Sequence, residues 1–210
     1  INHLMMRATM ALKNIGIDLF KNIIKHGRHN PALLDSYSPN QFKSKENLLS
    51  HIDNLPLKNP DITILASWFG SILIPALIDQ AEHITCIDID KECIKIAKNR
   101  IFQKYKNLSC HHRDIWDPEC LWNIKDADLV INTSCEHMPN MSELPALYQS
   151  NAYFAFQSNN MYHIPTHTNC VSSIDEFYCQ LPRNATIITE DEIEDDRGIR
   201  YTLIGKLCVE

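Results

Sequence analysis

Residues 61–71 read DITILASWFGS. The run Ile62–Leu65 is apolar, rich in β-branched side chains, free of charge and bounded by polar residues, which is the pattern of a strand buried on both faces. Gly70 follows where the strand must give way to a helix, and Ser71–Gln80 carries apolar residues at helical spacing. The same order then repeats. ITCID at Ile84–Asp88 reads as a second strand and CIKIAKNRIFQKY at 93–105 as the next helix. LSCHHRD at 108–114, ADLVINTS at 127–134 and NAYFAFQSN at 151–159 read as strands three to five. Short strands alternating with helices imply right-handed crossovers, and so a mainly parallel sheet with helices on its faces. The chain ends on ATIITEDEIE at 185–194 and RYTLIGKLCVE at 200–210, two strands joined by an acidic turn, which supply an antiparallel edge.

Upstream of Asp61 the pattern is different. Leu4, Met5, Ala8, Leu12, Ile15, Leu19, Ile23 and Ile24 fall on one face of a helix, broken near Gly16 and stopped by Gly27. Residues 30–44, with Pro31, Tyr37 and Pro39, read as a loop, and Ser44 as the cap of a second helix over Lys45–Leu55. Residues 1–57 therefore form a helical extension or lid and 58–210 the sheet domain. The first residue is Ile, so a preceding segment is expected. Of the 210 residues 44% are hydrophobic, enough for a packed core. The formal net charge of -6 argues against a nucleic-acid partner. The longest apolar run, near Ile72–Ile78, is too short to cross a bilayer, so no membrane partner is expected. Eight cysteines without a repeated short spacing, three of them (Cys86, Cys93, Cys208) inside apolar patterns, point to a reduced, cytoplasmic protein.

In an open α/β sheet, ligands bind beyond the carboxyl ends of the strands. The residues at those ends are Ser67-Trp68-Phe69-Gly70-Ser71, Asp88-Ile89-Asp90, Asp114-Ile115, Asn132–His137 and Gln157–Asn160. All five ends carry small or polar groups. Gly70 lets a ligand approach the backbone, but one glycine is not the G-x-G-x-x-G fingerprint of dinucleotide binding. Asp88 stands where an acid accepts hydrogen bonds from ribose hydroxyls, and Asp90 where a helix is capped.

The order ILASWFG, ITCIDID, HHRDIW and DADLVINTS resembles motifs I to IV of the class I S-adenosylmethionine (SAM)-dependent methyltransferases over Asp61–Ser134. The resemblance implies a Rossmann-like SAM-binding domain. It implies a first loop on the methionine portion (Gly70 with Ser67 and Trp68), a ribose acid (Asp88, followed by Ile89) and an acid near adenine (Asp114, followed by Ile115). Motif I departs from the family pattern, since Ala66, Trp68 and Ser71 stand where small or glycine residues are common. NTSCEHM with the downstream QSNN is also similar to a methyltransferase-like subset.

Within that frame Asn132 is a candidate for both cofactor and acceptor, and Glu136 and His137 are candidates to take a proton. Gln157, Asn159 and Asn160 are candidates for the substrate side, and Tyr37 for closing the extension over the cofactor. Cys110-His111-His112, Cys135-x-His137 and His163-x3-His167 lack a paired metal-binding framework, so no metal is expected. The expected activity is methyl transfer from SAM to a small molecule. The alternatives are chemistry at the γ-carbon of SAM that releases methylthioadenosine, and a non-catalytic SAM-fold binding protein.

Overall fold

The computed structural model describes residues 17–209. One seven-stranded sheet organises them. Its strands are β1 (Asp61–Leu65), β2 (His83–Asp88), β3 (Leu108–His112), β4 (Leu129–Asn132), β5 (Tyr153–Asn159), β6 (Ala185–Glu194) and β7 (Ile199–Leu207), in the order β3-β2-β1-β4-β5-β7-β6. The first five are parallel, with Ile62 opposite Ile84 and Leu129. β7 runs antiparallel between β5 and β6. The order reverses direction beside β1, between β1 and β4, which places a ligand crevice above those two strands.

The strands form because their side chains are claimed from both faces. Ile62 and Ile64 join Leu48, Ile74 and Phe102 in one core layer, whereas Leu65 joins Val130, Phe154, Phe156 and Phe177 in the other. This is the two-residue alternation of a strand covered on both sides. Each fully buried Leu, Ile or Phe contributes about 1.5–3 kcal/mol relative to an exposed one. β6 at the edge alternates between exposed and partly covered residues instead.

Helices α1 (Ile17–Gly27), α2 (Pro31–Asp35) and α3 (Pro39–Ile52) precede the sheet. The part of the expected first helix before Ile17 lies outside the described residues. The stretch 30–44, expected as a loop, is mostly helical. Pro31 and Pro39 each occupy the first helical turn, where a missing N–H costs nothing, and Asn30 Oδ1 caps α2 by accepting from the Leu33 N–H at 3.2 Å. The prolines are thus start signals rather than breakers. Ser44 is not a cap. It is buried within α3, and its Oγ donates to Gln157 Oε1 at 2.9 Å. Leu19, Ile23, Leu33 and Leu48 belong to the same core layer as β1, so the extension and the sheet share one interior.

The remaining helices are short. α4 (Leu73–Leu77) follows the first loop, α5 (Lys91–Ile96) runs into a π-helical turn at Ala97–Ile101, α6 (Leu121–Lys125) precedes β4, and α7 (Ile174–Tyr178) precedes β6. Asp90 caps α5, its Oδ1 accepting from the N–H groups of Glu92 and Cys93 at 2.8 and 3.0 Å.

Candidate active site

A cavity of about 1170 Å³ opens along the carboxyl ends of β1 to β5. Its first wall is the loop after β1. Ala66, Trp68 and Gly70 have φ of 45°, 50° and 61°, so every second residue is left-handed. Only glycine enters that region freely; an L-residue pays about 1–2 kcal/mol. The backbone therefore keeps a shape suited to three alternating glycines while two of the three positions carry side chains. At Gly70 a Cβ would lie 2.3 Å from Ile74 Cδ1, so α4 packs directly on this residue. The strain gives a direct expectation. Ala66→Gly should raise unfolding free energy by about 1 kcal/mol, after allowance for the greater entropy of an unfolded glycine. Chemical denaturation measures this, and a loss of stability would contradict a strained Ala66.

Asp88 ends β2 and is 8% exposed. Its Oδ2 accepts from the Trp68 N–H at 2.6 Å and its Oδ1 from the Asp90 N–H at 2.7 Å. Burial pushes its carboxyl above the usual aspartate range, and the two N–H groups pull it partly back. Each oxygen keeps a further lone pair. Ile89 and Asp90 lie beside it on the cavity wall, followed by Asp114, Ile115 and Trp116 from the loop after β3. Ile89 is well exposed, whereas Ile115 is buried.

The opposite end is built by β4, β5 and β7. A single 3-10 turn, Cys135–His137, carries Glu136 and His137 into the cavity wall. Glu136 is 3% exposed. Its Oε1 accepts from Asn159 Nδ2 at 2.6 Å and meets Arg200 Nη1 at 3.5 Å, while its Oε2 is buried with no hydrogen-bond partner. His167, Arg197, Arg200 and, from α3, Lys45 complete this end. Burial, reinforced by Arg200 and Arg197 and opposed by Glu136, pushes the Lys45 ammonium down to about 7. Burial also holds the His167 imidazole below the ordinary histidine range.

Ser67, Trp68, Gly70, Asp88, Ile89, Asp114, Ile115, Glu136 and His137 thus share one cavity. Five other sequence candidates do not line it. Asn132 is fully buried, with Oδ1 accepting from the Ser134 N–H at 2.9 Å and Nδ2 against the sulfurs of Met138 and Met141, so it shapes the turn that presents Glu136. Gln157 points into the seam between α3 and β7, with Nε2 donating to the Ser44 carbonyl and to Thr202 Oγ1. Asn160 pairs with Ile199 through both its backbone N–H and its Oδ1. Asn159 is buried behind Glu136 and orients it. For these four amides a nearby partner satisfies the side chain and draws it away from the cavity. The Tyr37 ring packs against the core, 6.3 Å from Phe42, and burial raises its phenol well above the usual tyrosine range.

Lys45, Arg197 and Arg200 were missed as site residues. Arg200 opens the last strand and Lys45 sits in a polar helix sequence, and both are buried only because distant segments cover them. The sequence places His167 only in a metal-type spacing with His163, and His163 does not line the cavity.

No family model and no curated protein sequence matches this chain. Solved structures do share its fold. The N-methyltransferase NodS from Bradyrhizobium japonicum WM9 superposes with a TM-score of 0.64 at 12% identity, covering 83% of this chain and 99% of that one. Magnesium protoporphyrin IX methyltransferase from Synechocystis PCC 6803, with bound S-adenosylhomocysteine, gives a TM-score of 0.64 at 12% identity, covering 96% and 100%. The chain therefore has the class I methyltransferase-like fold.

Proposed function

We propose that this protein is a SAM-dependent transferase, and specifically a methyltransferase acting on a small molecule. The observation that carries the reading is the pairing of the loop at Ala66–Gly70 with the buried Asp88 carboxylate on one cavity wall. Solved relatives of the fold were crystallised with S-adenosylhomocysteine, which supports the same occupant here. The residues fit it. Asp88 has one lone pair left on each oxygen for a pair of ribose hydroxyls. Ile115 and Trp116 offer apolar surface for a base, and the first loop can hold the methionine portion. SAM supplies an activated methyl group on a sulfonium that leaves as a neutral thioether. The protein has then to align acceptor and methyl carbon and to accept a proton.

The formal net charge of -6 favours a small molecule over a nucleic acid. No helix among the described residues is long and apolar enough to cross a membrane. A cytoplasmic location is part of the same proposal.

Calorimetry with SAM tests the reading. Asp88→Ala should weaken binding by about 1–3 kcal/mol, the cost of removing charge-assisted hydrogen bonds, with circular dichroism unchanged. Unchanged affinity in the folded variant would remove Asp88 as the ribose acid. Product analysis tests the chemistry: S-adenosylhomocysteine supports methyl transfer, methylthioadenosine supports attack at the γ-carbon, and binding without turnover with any acceptor supports a binding protein.

A further inference from the structure

Beyond the ribose end, the cavity holds two facing sets of groups with opposite needs. The protonation of the first set follows from its partners. Asn159 Oδ1 accepts from the Met161 backbone N–H at 2.9 Å, which fixes the orientation of that amide. The same oxygen lies 3.0 Å from His167 Nδ1, so Nδ1 carries the proton and Nε2 a bare lone pair. His137 Nδ1 lies 2.9 Å from the Thr166 carbonyl, which can only accept, so in the neutral ring His137 Nε2 is the acceptor. Glu136 Oε2 is the third acceptor, buried and without a partner. Three acceptors with no donor among them meet in one corner.

The second set is basic. Arg200 is 5% exposed and Lys45 9% exposed, and Arg197 has its Nε buried without a partner. All three line the same cavity as Glu136, whose Oε1 lies 3.5 Å from Arg200 Nη1. An acceptor corner beside a donor corner is complementary to a zwitterion.

A metal ion is the rival occupant of the acceptor corner. The candidate ligand atoms of Glu136, His137 and His167 lie within 4.8 Å of one another, with His137 Nε2 at 4.0 Å from Glu136 Oε1. Tetrahedral ligands about 2.1 Å from zinc sit about 3.4 Å apart. Acceptors about 2.9 Å from a tetrahedral ammonium sit about 4.7 Å apart. The 4.0 Å separation lies between the two, and the adjacent Arg200 cation, 3.5 Å from Glu136 Oε1, repels a dication more than a singly charged amine.

Resting on the reading as a SAM-dependent transferase, we propose that the acceptor is an amino-acid-like small molecule. Its amine lies against Glu136 Oε2 and the Nε2 atoms of His137 and His167, and its acid group lies against Arg197, Arg200 and Lys45. The ammonium yields one proton to an imidazole Nε2, and His137, whose side chain is 39% exposed, passes it to water. The freed lone pair forms the new N–C bond as the C–S bond breaks, and the product is a secondary ammonium. Arg200, on β7, lies three strands from β1, about 14 Å across the sheet and on the side away from Asp88, whereas Glu136 and His137 follow β4, the neighbour of β1, so the acid end of the acceptor points away from the cofactor and its amine towards it.

The test is calorimetry with each of the twenty common L-amino acids, on the free protein and on protein saturated with S-adenosylhomocysteine. At least one should bind, and its N-acetyl and decarboxylated analogues should bind at least about 30-fold more weakly. Glu136→Gln and Arg197→Gln should each weaken that amino acid about 10-fold or more while SAM affinity stays within about threefold. Arg197 is only half-buried, so its variant keeps the test alive if Glu136→Gln fails to fold. Four results would overturn the proposal: no amino acid binding; equal binding of the analogues; a parallel loss of SAM affinity in the variants; or saturable Zn²⁺ binding that His167→Ala abolishes. Failure of the free protein to bind SAM would instead sink the transferase reading, while amino-acid binding would still be decided by its own titration.

Discussion

The double variant His137→Gln, His167→Gln is expected to turn over about 10²–10⁴-fold more slowly than the native protein, with SAM affinity within about threefold. Both imidazoles cluster with Glu136, each with its Nδ1 held against an oxygen, and their rings stand edge to face at 4.6 Å, so either can take the proton when the other is lost. Each single substitution should therefore cost much less than its share of the double, because groups in one cluster are not additive. Single-turnover rates with the cognate acceptor check this, with circular dichroism to confirm folding. The pH profile carries a second signature. Burial holds the His167 imidazole below the ordinary histidine range, so His167 remains a free base on mild acidification. In the His137→Gln protein, where His167 is the remaining imidazole, the rate should fall only below about pH 6.5. A double variant with normal turnover would show that alignment alone carries the reaction.

The order of elements was legible because each buried strand is an apolar run flanked by polar residues. ITIL before Ser67 and ITCI before Asp88 need no tertiary information to be read. The candidate site was legible where a residue ends a strand or lies on the turn after it and still faces the cavity, as at Asp88 and at Glu136. It was not legible where a polar residue finds a buried partner far away in the chain. Gln157 lies 113 residues from Ser44, and nothing local marks that pairing. Asn132 shapes the turn presenting Glu136 by accepting the Ser134 N–H, a contact that spacing alone does not separate from ligand binding. The departures in the first loop carried more meaning than their mismatch suggested. Ala66 and Trp68 keep left-handed φ, so backbone shape survives the loss of glycine. Pro31 and Pro39 misled in the other direction, since proline at a helix start and proline in a loop look alike without the following turn.

Lys45→Met is expected to stabilise the ligand-free protein at pH 7 by about 1–4 kcal/mol, because a buried ammonium among cations is replaced by an apolar chain of similar length. The lysine is pushed from 10.5 to about 7, with burial as the main cause and Arg200 next. The unfolded chain therefore binds more protons than the folded one between those two values, so stability rises with pH across that window. Below about pH 7 the cost of the buried charge is present in full, and near pH 10.5 it has gone. Denaturant unfolding at pH 7 and pH 9 should show the native protein gaining about 2–3 kcal/mol on the Lys45→Met variant over that interval. A constant difference between the two proteins would place Lys45 in contact with water. The same shift bears on the acceptor. An acid group bound beside Lys45, Arg197 and Arg200 restores the ammonium, so amino-acid binding near pH 7 should take up part of a proton. Calorimetry in buffers of different ionisation enthalpy reads that uptake directly, and Lys45→Met should abolish it. A lysine that weakens the empty fold is explained if the ligand it holds restores its charge.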